Sequence, residues 1–112
     1  MNLLTVILKK AELVTEICKG LAEEGVHGGT IIDGVGMASV IEQMDDLPIF
    51  GMLKSILADD DDNEVVKVML FVMNDEEMEN AKKIIHDIVG LDEPNTGIMF
   101  ALPVTFVEGL GA

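Results

Sequence analysis

The chain has no arginine, no tryptophan and no tyrosine, and it has a single cysteine. Without arginine it lacks the bidentate fork that proteins favour for phosphate and carboxylate ligands. Without tyrosine no phenol is available for catalysis or covalent modification. Cys18 has no partner for an intramolecular disulfide, which agrees with a reducing compartment. No apolar run reaches the roughly 18–20 residues needed to cross a bilayer, and the N-terminus lacks a basic region with a cleavage site. We therefore expect a soluble, cytoplasmic protein without direct membrane insertion. Positive charge is also scarce. The seven basic residues, all lysine, face 21 Asp and Glu, for a formal net charge of −14. Nucleic acid and anionic membrane surfaces are thereby poor partners, since phosphate binding is largely a Lys/Arg effect.

Candidate nucleophiles and bases are few. The serines are Ser39 and Ser55, the histidines His27 and His86, and no pattern sets a nucleophile beside a base. No enzyme and no catalytic residue is expected. His86 falls beside an apolar helical stripe and reads as a rim histidine. His27 reads as a surface imidazole, the alternative being a metal ligand shared with Asp33. The run Asp59–Glu64 lacks the glycine and the bidentate glutamate of a calcium loop and reads as a solvated acidic turn.

What is present is apolar and periodic. At 112 residues and 49% hydrophobic, the chain is long enough to bury a core as one domain spanning 1–112. Leu3–Leu8 reads as a strand that is apolar on both faces. Lys10–Glu24 carries the stripe Leu13, Val14, Ile17, Cys18, Leu21 and Ala22 of an amphipathic helix, weakened at Gly20 and ended at Gly25. Cys18 lies on that stripe as a small core residue. Val26–Val35 reads as a second strand and Val65–Met73 as a third, again apolar on both faces. Asn74 and Glu77 form a capping-box start to a second helix that ends at Gly90. Leu91–Gly97 is rich in turn formers, and Ile98–Val104 is a fourth strand that Pro103 places at an edge or terminates. Ala38–Asn63 reads as an irregular insert holding one short amphipathic helix at Pro48–Leu57.

The resulting order, β-α-β, insert, β-α-β, predicts an α+β fold of the ferredoxin-like βαββαβ type. This is a split sandwich: a four-stranded antiparallel sheet with two helices on one face. Two helices cover only one face, yet two strands are apolar on both. Leaving such a face in water would forfeit many kcal/mol at roughly 25 cal/mol per Å². Another copy of the chain is the simplest cover.

The stretch Gly25–Met37 surrounds Thr30-Ile31-Ile32 with Gly25, Gly28, Gly29, Gly34 and Gly36. Glycine reaches positive φ and lets a backbone or ligand approach closely. The plain reading is a set of turns around an edge strand. The sharper one is a ligand cleft floored by Gly34-Val35-Gly36.

Three segments resemble the PII signal-transduction family, in a divergent PII-like branch. Glu24–Thr30 resembles the family's passage from first helix to second strand, and Gly34-Val35-Gly36 its Gly-x-Gly at the base of the long T-loop. Asn95–Val104 resembles its last loop and strand. The resemblance implies a homotrimer with its sheets inside and adenine nucleotide in inter-subunit clefts. Thr30, Gly34, Val35, Gly36 and Met37 would line one side of each cleft, and Glu93, Pro94, Asn95, Thr96 and Gly97 the other. It also implies a signalling role, in nitrogen or related metabolic regulation, exerted on a partner protein through the 38–63 loop. Ile98 stands where the family has a phosphate-gripping basic residue, and Met37-Ala38 where it has Arg-Gln. Any nucleotide would therefore be held mainly by base and ribose. The alternative is a trimer resembling the CutA family, or a structural one, that binds divalent metal or a partner without nucleotide.

Overall fold

The computed structural model describes residues 1–42 and 65–110. The amphipathic segment Pro48–Leu57 and the acidic run Asp59–Glu64 lie outside the described residues. In chain order the elements are β1 (Asn2–Leu8), α1 (Val14–Glu23), β2 (Thr30–Gly34), α2 (Met37–Glu42), β3 (Val66–Met73), α3 (Asp75–Val89) and β4 (Gly97–Pro103). The four strands form one antiparallel sheet in the order β2-β3-β1-β4, the ferredoxin-like arrangement expected from the sequence. β4 lies at the edge and ends on Pro103, whose missing N–H interrupts no ladder there.

Side chains directly paired across a sheet share a face, and successive ones alternate. Leu4, Val6 and Leu8 of β1 and Met69, Phe71 and Met73 of β3 are buried in one core with Ile17 and Leu21 of α1 and Ala81, Ile85 and Val89 of α3. Both helices therefore cover the same face. They also approach closely, since a Cβ on Gly20 would stand 2.9 Å from the Ile84 Cγ2. The helix-weakening glycine is thus what permits the α1–α3 contact.

Helix ends follow the sequence signals. The Asn74 Oδ1 accepts from the Glu77 N–H at 2.8 Å while the Glu77 Oε1 accepts from the Asn74 N–H at 3.1 Å, a complete capping box. At the end of α1, Gly25 adopts φ 88°. The Val26 N–H donates to the Leu21 carbonyl and the Gly25 N–H to that of Ala22, each at 3.0 Å, a Schellman closure.

Several boundaries differ from the sequence reading: α1 runs Val14–Glu23 after a 3-10 turn at Ala11–Leu13 instead of starting at Lys10, and β4 runs Gly97–Pro103 instead of Ile98–Val104. The second strand begins at Thr30 instead of Val26, because Val26 closes α1 and Gly29 lies over the Phe71 ring where no Cβ would fit. Residues 38–42, read as part of the irregular insert, join Met37 in the short helix α2. A turn and a half is too brief to display a helical hydrophobic period.

The opposite sheet face carries Leu3, Thr5 and Ile7 from β1, Val66, Val68, Leu70 and Val72 from β3, Thr30, Ile32 and Gly34 from β2, and Ile98, Phe100 and Leu102 from β4. None of these residues is charged. Neither α1 nor α3 packs on this face, where Ile32, Ile98, Phe100 and Leu102 are exposed while Thr5 and Val66 are buried. No helix among the described residues is long and apolar enough to cross a membrane.

Candidate functional site

Antiparallel pairing gathers the C-terminal ends of β1 and β2 and the N-terminal starts of β3 and β4 at one end of the sheet. There Leu8 pairs with both Lys67 and Gly97, and Gly34 pairs with Val66. Between these strand ends lies a cavity of about 520 Å³, lined by Ile7, Lys9, Gly34, Val35, Gly36, Val66, Val68, Asn95, Gly97 and Ile98. Its volume is in the range of small-molecule sites, roughly 300–1,000 Å³.

The loop before β4 is fixed against β1 by its own chemistry. Thr96 is fully buried, its hydroxyl donating to the Glu93 carbonyl at 3.0 Å. Its carbonyl accepts from the Lys9 N–H at 3.0 Å, which ties the loop to the end of β1. Asn95 takes φ 63°, a left-handed conformation that asparagine tolerates better than most residues. Gly97 takes φ 148°, and any Cβ there would run into the Ile7 carbonyl oxygen. Only glycine lets β4 begin so close to β1. On the far wall, a Cβ on Gly34 would stand 3.3 Å from the Val66 Cγ2 and 3.6 Å from the Val68 Cγ2.

The two candidate segments thus meet. Gly34, Val35 and Gly36 face the same cavity as Asn95 and Gly97. Thr30, Met37, Glu93, Pro94 and Thr96 are not among its lining residues. Thr30 sits in the sheet opposite Leu70, Met37 is exposed at the start of α2, and Thr96 is spent on the loop's internal bonding. Sequence reasoning missed Ile7, Lys9, Val66 and Val68 as cavity residues. Strand order alone would have found them, since each lies at a strand end that antiparallel pairing brings to Gly34 or Gly97.

His27 and His86 are both exposed, the His86 Nε2 standing 3.7 Å from the Asp92 Oδ2. Asp33 pairs with Lys67 across β2 and β3. Among the described residues no three His, Cys, Asp or Glu side chains are grouped to hold a metal ion. Cys18 is partly buried against the core.

No protein-family model matches the chain, and no curated protein matches it.

Proposed function

We propose that the chain is a PII-like signalling protein. Three copies assemble through their uncovered sheet faces, a small ligand is sensed in the cavity at the sheet end, and a partner protein is regulated through the 38–63 loop. The observation that supports this reading is the cavity itself. It unites Gly34–Gly36 with Asn95 and Gly97, and Ile7, Val66, Val68 and Ile98 in its walls belong to the apolar face that needs a cover. Assembly and ligand occupancy then share one surface, and the loop leaves from the cavity's rim at Gly36. The resemblance nominates an adenine nucleotide, gripped by base and ribose. Native mass spectrometry of the purified protein tests the reading. A species of three 12.1 kDa chains carrying a small-molecule adduct is expected. A bare monomer at micromolar concentration overturns it.

A further inference from the structure

In a chain with 21 acidic residues, the cavity lining among the described residues contains no Asp and no Glu. It contains one cation, Lys9, and one side-chain amide, Asn95. Most of the remaining wall is aliphatic, from Ile7, Val35, Val66, Val68 and Ile98. The geometry points to a ligand with a compact apolar body and a single negative charge, a short branched-chain carboxylate, in place of a nucleotide polyphosphate. The inference rests on reading the cavity as the sensory site and changes only the ligand that occupies it.

Charge and shape agree. Repulsion from a chain of net charge −14 grows with the charge of the ligand, so a monoanion meets far less of it than a triphosphate. Lys9 already has a partner within the chain, and an ammonium offers three donors, so a carboxylate can share it. The aliphatic walls gain by covering a hydrocarbon body and offer few hydrogen-bonding side chains to purine or ribose edges. Gly34 lets the ligand approach backbone where a Cβ would stand against Val66 and Val68.

Calorimetry on the whole protein with three probes tests this: 4-methylpentanoate, the neutral 4-methyl-1-pentanol, and ATP. The carboxylate is expected to bind at least about tenfold more tightly than the alcohol, a difference of about 1.4 kcal/mol, and to resist displacement by ATP. In Lys9→Met the preference for the carboxylate over the alcohol should disappear. Equal binding of acid and alcohol to the wild-type protein overturns the inference. ATP displacing the acid overturns it too, but leaves the sensory reading standing with a nucleotide as ligand. Binding of none of the three removes both.

Discussion

Leu70→Asp isolates the role of the uncovered sheet face. Leu70 lies at its centre, paired with Thr5 on one side and Thr30 on the other, and is only partly buried within the single chain. In an isolated protomer the new carboxylate remains in contact with water. The loss is then part of a leucine's burial, about 1 kcal/mol against the ~1.5–3 kcal/mol of a fully buried one. In the proposed trimer each copy seals one unpaired carboxylate into an apolar interface, at about 3–5 kcal/mol apiece. Three copies cost roughly 9–15 kcal/mol per assembly, and at about 1.4 kcal/mol per tenfold the association constant falls by at least ~10⁶. Its neighbour Met69 points the other way, fully buried against the helices. Met69→Asp places the same charge inside the protomer, where ~3–5 kcal/mol is a large part of the ~5–15 kcal/mol that holds a domain folded. Light scattering with urea denaturation separates the two. Leu70→Asp should give a folded monomer and Met69→Asp an unfolded chain. A Leu70→Asp protein that keeps the wild-type mass refutes the interface, and identical behaviour of the two variants refutes the assignment of faces.

Further outcomes follow from the loops, the caps and the charge. Gly97→Val drives a side chain into the Ile7 carbonyl and should cost about 2–3 kcal/mol in urea denaturation. Gly28→Ala, whose new Cβ meets nothing within 4 Å, should stay within about 0.5 kcal/mol. Asn74→Ala removes the capping box of α3 and should lower stability by about 1 kcal/mol, readable as a lower melting temperature. Raising salt shortens the screening length from about 30 Å at 0.01 M to about 8 Å at 0.15 M. With −14 on every chain this should tighten assembly, and dissociation on adding salt would count against self-association through an apolar face. Amide exchange across 48–57 should quicken or slow when the cavity fills. Unchanged slow exchange in both states would make that segment a fixed lid and end its regulatory role.

The fold was legible because its signals are local and repeated. β1 and β3 were marked by their apolar runs, α3 by Asn74 and Glu77, and the edge position of β4 by Pro103. The cavity was half legible for the same reason. Gly34, Gly36 and Gly97 announce themselves as backbone specialists in any single sequence. Ile7, Lys9, Val66 and Val68 look like ordinary strand residues until pairing brings four strand ends together, and that pairing spans most of the chain. The shortness of β2 was hidden likewise. Val26 has every propensity for a strand, but its N–H is taken by the Leu21 carbonyl, and Phe71 occupies the room beneath Gly29. Tertiary competition overrode local preference there.

If the chain assembles as proposed, the sheet face that α1 and α3 leave open would also govern how newly made chains meet. Proteins usually guard exposed strands with gatekeeper charges, and this face has none. In the proposed assembly a freshly folded protomer would thus be a sticky particle, open to fibrillar or amorphous association before three copies meet. The guard has been moved elsewhere. The excess of carboxylates keeps protomers apart at long range, as in a colloid stabilised by surface charge. Only an approach that aligns enough apolar area to outweigh that repulsion is rewarded. Acidification towards the sequence pI of about 4.1 removes the barrier while leaving the face intact, so clumping near that pH should compete with ordered assembly.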